Sequence, residues 1–119
     1  MFSKIRPFIF KIDPELAHDL AIKALKTNLI VQDKKKNELA FKTQLFGKEI
    51  PNPIGIAAGF DKNAEVYNPL FKLGFGFVEV GTVTPLSQYG NQKPRVFRLE
   101  EDCALINRLG FNNNGADDA

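Results

Sequence analysis

The sequence predicts a parallel α/β fold preceded by two amphipathic helices, and three observations point there. A short apolar run, Ile54 to Ala58, is bounded by Pro53 and Gly59 and reads as a buried strand ending in a tight turn. A second run, Phe75 to Val83, is rich in valine and phenylalanine and reads as another strand. Between them Val66, Leu70 and Leu73 recur at helical spacing, and strand, helix and strand within about 30 residues make a right-handed parallel unit.

Taken in order, the chain opens with Phe2, Ile5, Phe8, Ile9 and Ile12 on one side of a helix and Ser3, Lys4 and Lys11 on the other, with Pro7 weakening the pattern. A second helix is better marked. Asp13 suits the cap, Pro14 the first helical position and Glu15 the dipole, and Leu16, Leu20 and Ala24 then repeat every fourth residue towards Asn28. On pattern alone such a pair covers an ordinary core more often than it lies in a membrane interface. Val31 to Glu38 reads as a polar linker and the natural boundary.

Beyond it, Phe41 to Leu45 and Lys48 to Ile50 flank Gly47 closely enough for a hairpin. The first strand of the parallel unit follows. Asn63 is the expected cap of a helix over Ala64 to Leu73, which Pro69 should kink or shorten and Gly74 should stop. Glu79, among apolar neighbours, reads as a buried and paired carboxylate. Val96 to Leu99 and Ala104 to Ile106 flank an acidic turn and predict a second hairpin. The run Asn107 to Gly115 is dense in amides without a regular period, so it reads as a loop, with turn formation the plain role of Asn112 to Asn114. Asn114 and Asp117 suit the start of one more helix.

Composition narrows the function. With 119 residues, 44% hydrophobic and 25% charged, the chain is in the globular range and fits one domain at most. A formal charge of +2 is too small for a nucleic-acid footprint, and the only basic run, Lys34 to Lys36, reads as solvated linker. The single Cys103 excludes an internal disulfide and a metal quartet, fits a reducing compartment and reads as an inert packing residue. No apolar run approaches the roughly 18 residues that span a bilayer, and the basic residues crowding Phe8 to Phe10 argue against a signal peptide.

In a parallel α/β fold, ligands bind at the carboxyl ends of the strands. Gly59 to Lys62 ends the first strand and Gly81 to Thr84 the second, so both fall on one face. There Ala58, Gly59 and Thr82 could line a planar cofactor, while Lys62 offers charge to it or to an anionic substrate. The sequence has no Gly-x-Gly-x-x-Gly, P-loop or metal-spaced cluster, and the lone His18 reads as a surface or cap residue.

Four motifs, in order and at matching spacing, carry a resemblance. They are Asn-Pro-Ile-Gly-Ile-Ala-Ala-Gly-Phe-Asp-Lys, Gly-Phe-Gly-Phe-Val-Glu-Val-Gly-Thr-Val-Thr-Pro, Lys-Pro-Arg-Val-Phe-Arg-Leu and Ile-Asn-Arg-Leu-Gly-Phe-Asn-Asn-Asn-Gly. Together with Asp-Pro-Glu-Leu-Ala-His at the second helix, they closely resemble the quinone-dependent (class 2) dihydroorotate dehydrogenases over essentially the whole chain. The resemblance implies an FMN-binding (β/α)8 TIM barrel that oxidises dihydroorotate to orotate in pyrimidine synthesis and passes the electrons to a membrane quinone.

By matching motif, Ala58, Gly59, Phe60, Asp61, Lys62 and Thr82 would contact FMN, and Lys62, Asn107, Arg108, Leu109, Gly110 and Phe111 the substrate. Residues 1–37 would form a membrane-facing quinone entrance, with His18 and Arg98 along its tunnel, and residues 38–119 the first part of the barrel. That reverses the odds set by pattern alone for the helix pair. Peripheral attachment to the cytoplasmic side of a bacterial inner membrane follows, with no metal and no nucleic acid. A barrel takes about 250 residues, and this chain supplies roughly two of its eight strands. The family's catalytic serine and flavin-phosphate site lie on later loops; Ser3 and Ser87 match neither, so the expectation is an amino-terminal fragment, inactive alone and poorly soluble at its open strand edges. The alternative is a noncatalytic remnant whose helices still bind membrane. A soluble fumarate- or nicotinamide-linked relative fits the helix pair less well.

Overall fold

The structure is a computed structural model that describes residues 2–29 and 41–119. The expected linker, Val31 to Glu38, lies outside the described residues. Helix α1 covers Phe2–Ile9 and α2 covers Pro14–Lys26. The pattern to Ile12 ends early as helix because Asp13 precedes a proline and takes an extended ψ of 133°. Lys11 N–H and Ile12 N–H instead close tight turns on Phe8 O (3.2 Å) and Ile9 O (3.1 Å). Asp13 caps α2 as expected, Oδ1 accepting from Glu15 N (3.0 Å) and Leu16 N (2.9 Å), a contribution of about 1 kcal/mol.

Strands β1 (Thr43–Leu45) and β2 (Lys48–Ile50) form the first hairpin, pairing Thr43 with Ile50 and Leu45 with Lys48. Its two-residue turn has positive φ at both Phe46 (49°) and Gly47 (74°), the left-handed geometry whose twist matches the strands it joins. Strand β3 (Gly55–Ile56) lies parallel to β4 (Phe77–Val78), with Gly55 opposite Phe77 and Ile56 opposite Val78. The regular strands are shorter than the apolar runs because each has one partner among the described residues. The ladder nonetheless continues through Gly76 N to Ile54 O and Glu79 N to Ile56 O, both 2.8 Å.

Helix α3, Tyr67–Lys72, packs against β4 and supplies the small core, Val66 and Leu70. Pro69 shortens the expected helix as its missing donor requires: it sits in the first turn, where no intrahelical bond is lost. Gly74, at φ 102°, ends it. Asn63 does not cap α3; its Oδ1 accepts from Asn114 N (2.9 Å), tying it to the amide-rich loop. Strands β5 (Val96–Leu99) and β6 (Ala104–Asn107) form the second hairpin in register Val96 to Asn107 through Leu99 to Ala104.

Three expectations are corrected. Glu79 is exposed, because the β3–β4 pair is open on that side. Cys103 is exposed rather than packed, since it occupies the β5–β6 turn at φ 50°. Asn114 starts a turn and not a helix; its Nδ2 donates to Asp118 Oδ2 at 2.6 Å.

Candidate active site

The segments after β3 and β4 are joined by their backbones. Gly59 N–H donates to Gly81 O (2.7 Å), and Gly81 N–H donates to Asp61 O (2.8 Å). Asp61, 1% exposed, has its carboxylate occupied by the start of α3: Oδ1 accepts from Glu65 N (2.8 Å) and Oδ2 from Val66 N (2.9 Å). A buried carboxylate with two amide donors is well satisfied, and it fixes the turn that delivers Lys62.

The third wall comes from the loop after β6. Arg108 N donates to Arg95 O (2.8 Å), Asn91 N to Leu109 O (3.0 Å) and Asn91 Nδ2 to Arg108 O (2.8 Å), while Phe111 (φ 55°) and Gly110 (φ 74°) turn the chain back. Asn113, 6% exposed, braces the end of this loop, its Nδ2 donating to Thr84 Oγ1 (2.9 Å) and Phe111 O (2.8 Å). Its Oδ1 accepts from Thr84 N (3.1 Å) and Gly115 N (2.9 Å).

These segments enclose a cavity of about 460 Å³ lined by Ala58, Gly59, Lys62, Gly81, Thr82, Asn91 and the run Asn107 to Asn112. A Cβ on Gly59 would meet nothing within 4 Å, so a flat group has room to lie there; the glycine is required instead by its φ of 100°. Burial holds the Lys62 ammonium below the usual lysine range, with Asp19 and Glu15 acting against the shift and Arg95 adding to it. Asn112 Oδ1 is buried without a hydrogen-bond partner among the described residues, an acceptor left for a donor on a ligand.

The structure thus brings Ala58, Gly59, Lys62, Thr82, Asn107, Arg108, Leu109, Gly110 and Phe111 to one cavity. Phe60 and Asp61 stand outside that lining: Phe60 faces α2, and Asp61 holds α3. His18 and Arg98 do not share a cavity. His18 lines a larger one, about 760 Å³, against α2, whereas Arg98 lies beside Arg6 and Phe10 in one of about 290 Å³. Arg98 donates to Ile12 O (2.6 Å) and Phe10 O (3.2 Å), pinning the α1–α2 turn. Sequence reading missed Asn91 and Asn112; Asn112 lay within an amide-rich run, but Asn91 carried no local signal.

Known proteins share much of this sequence and its fold. The family signature described as dihydroorotate dehydrogenase matches residues 40–119. The chain belongs to the dihydroorotate dehydrogenase family. It is 50% identical over 115 residues to a dihydroorotate dehydrogenase (quinone) of Azorhizobium caulinodans, covering 97% of this chain and 32% of that protein. A mitochondrial dihydroorotate dehydrogenase (quinone) of Cyclocybe aegerita is 54% identical, with 96% and 34% covered. Among solved structures, the ligand-free Eimeria tenella enzyme superposes with a TM-score of 0.84 at 48% identity, over 89% of this chain and 29% of that one. The chain therefore spans about a third of the length of these dihydroorotate dehydrogenase relatives.

Proposed function

We propose that this chain forms the opening third of a quinone-dependent dihydroorotate dehydrogenase, an FMN enzyme that oxidises dihydroorotate to orotate in pyrimidine synthesis. The observation that carries the reading is the convergence of the β3, β4 and β6 ends, with Lys62, on one cavity. In this reading residues 38–119 begin a (β/α)8 barrel, and residues 1–37 form a peripheral membrane attachment on the cytoplasmic side. His18 on α2 and Arg98, which reaches the α1–α2 turn from β5, would each stand at a different point of the quinone path.

The residues present fit a flavin. Ala58, Gly59 and Thr82 would lie against its ring system, where the Gly59 position is open, and Asn112 Oδ1 supplies an unpaired acceptor. A bound FMN would supply the two-electron acceptor for dihydroorotate oxidation and the donor for quinone reduction. Lys62 would meet the substrate carboxylate; its ammonium is desolvated and short of a matching anion, so a bound carboxylate relieves it. Asn107 offers donor and acceptor to the ring amides of the substrate. The cavity lining, among the described residues, holds no serine, the group the resemblance assigns to taking the carbon-bound proton from a later loop. These 119 residues alone therefore do not turn over.

Exposed apolar side chains on the helices, Ile5, Phe8, Leu16 and Leu20, support the membrane attachment, with lysines interleaved. Among the described residues no helix is long and apolar enough to cross a membrane.

The test uses the purified flavoprotein that contains this chain. Anaerobic dihydroorotate should bleach its FMN, and a soluble quinone should restore the colour where fumarate or NAD+ does not. Absence of bleaching, or reoxidation by fumarate or NAD+ in place of quinone, would overturn the assignment.

A further inference from the structure

His18 stands where α2 meets the loop that carries Lys62. Its Nε2 lies 2.7 Å from Phe60 O, and its ring meets the Phe60 ring edge-on at 5.4 Å between centroids. A carbonyl oxygen only accepts, so Nε2 carries the proton and donates. That leaves Lys62 Nζ, 3.5 Å from the same nitrogen, beside the ring without a bond into it. The ring is thus a wall for the ammonium and not its partner.

The loop from Gly59 to Lys62 is held on its other sides by the bonds between Gly59, Gly81 and Asp61 and by the Asp61 carboxylate on the Glu65 and Val66 amides ahead of α3. The Phe60 peptide has its tie to α2 through His18. Lys62 lines both the 460 Å³ cavity and the larger cavity against α2, so nothing in the cavity shape alone commits its four-carbon stem to the substrate side. The imidazole stands on the α2 side of the ammonium, 3.5 Å from Nζ.

We infer that His18 is a positioning residue for substrate binding: by donating to the Phe60 carbonyl and walling off Lys62, it aims the ammonium into the cavity beneath the β3 and β4 ends. The inference rests on the dihydroorotate dehydrogenase reading, and it adds a substrate-side role to a histidine otherwise assigned to the quinone path. The His18 tie to the Phe60 carbonyl, rather than the docking of α2 as a whole, then tunes the affinity for the substrate carboxylate. Lys26, near the other end of α2, bonds the Glu65 side chain and makes no hydrogen bond to Phe60 or Lys62.

The experiment measures orotate affinity of the FMN-loaded, oxidised enzyme from the flavin spectrum, with quinone absent. His18→Phe keeps a ring against Phe60 but loses the donor; His18→Gln keeps a donor of similar reach but loses the ring. We expect His18→Phe to weaken orotate about three- to tenfold, as loss of one hydrogen bond does, and His18→Gln to stay within about twofold of wild type. Lys26→Met, which frees the far end of α2, should leave orotate affinity unchanged. Acylation of Lys62 by an amine reagent, read by mass spectrometry, should quicken in His18→Phe and not in His18→Gln. Unchanged orotate affinity in His18→Phe, failure of His18→Gln to restore it, or equal weakening by Lys26→Met would each overturn the inference. If wild type binds no orotate at all, it is the functional assignment that fails.

Discussion

The cavity and the amino-terminal helices are fastened by different means. Around the cavity the bonds run backbone to backbone, Gly59 to Gly81 and Gly81 to Asp61, over the core of Val66 and Leu70. Helix α2 has no buried residue. It is held at intervals by side chains: Glu15 to Arg95, His18 to the Phe60 carbonyl and Lys26 to Glu65, with Lys72 reaching Asn28 just beyond it. Backbone bonds around a core are indifferent to salt and mild acid; side-chain ties are not. The difference teaches that the helices can respond to their surroundings while the cavity keeps its shape.

The largest expected effect is at the strongest of those ties. Arg95, 7% exposed, gives Nε to both Glu15 oxygens (3.1 Å each) and Nη2 to Oε1 (2.6 Å), and its Nη1 donates to Tyr89 O (2.6 Å) and Asn91 O (3.0 Å). Arg95→Ala leaves the half-buried Glu15 with only the exposed Lys93, 3.4 Å from Oε1, removes the donor to Tyr89 O and Asn91 O, and should cost about 1–3 kcal/mol in urea unfolding. Acid provides a second route. The bond to Arg95 holds the Glu15 carboxyl below its ordinary 4.5. A depressed carboxylate contributes stability in full above the unfolded value and loses it as pH falls through the folded one. Amide exchange in α2 should therefore quicken below about pH 4.5 while the Gly59 and Gly81 amides stay protected. Simultaneous loss of protection in both regions would break the comparison.

Asp61→Ala probes the cavity side. It strands the buried Val66 amide and the part-buried Glu65 amide and should destabilise by about 2 kcal/mol, with the amides at the start of α3 exchanging first. Gly81→Ala is milder in energy, about 1–2 kcal/mol, but places a Cβ 2.7 Å from Val83 N at a φ of 99°. FMN binding should fall with it. Smallest in stability is Phe8→Ala: the side chain is 71% exposed, so unfolding should shift by less than about 0.5 kcal/mol, yet partition onto anionic vesicles should drop. Undiminished vesicle binding would count against the membrane role of α1.

What could be read in the sequence was whatever short-range chemistry decides. The Asp13-Pro14 cap, the turn at Gly47, the stop at Gly74 and both hairpins each depend on neighbours a few positions away. Lys62 and the glycines around it were legible as a site because the strand ends put them on one face. Partners chosen across the fold were not. Glu15 and Arg95 are 80 positions apart, and Asn63, the expected cap of α3, is taken by the Asn114 amide while Asp61 holds the Glu65 and Val66 amides ahead of the helix. Glu79 misled for the same reason, since its burial depends on what lies across the sheet rather than on its apolar neighbours in sequence.

Lys62 gives the most direct test of the central claim, that this chain supplies one wall of a flavin and orotate site. Orotate affinity of the FMN-loaded enzyme should be measured against pH for wild type and for Lys62→Met. Because burial lowers the Lys62 pKa from the ordinary 10.5, the ammonium gives up its proton at a lower pH than an exposed lysine does, and wild-type affinity should fall as pH rises through that depressed value. Lys62→Met should bind at least about tenfold more weakly at neutral pH and show no such fall. Equal affinity in the two proteins, with the same pH profile, would contradict the account.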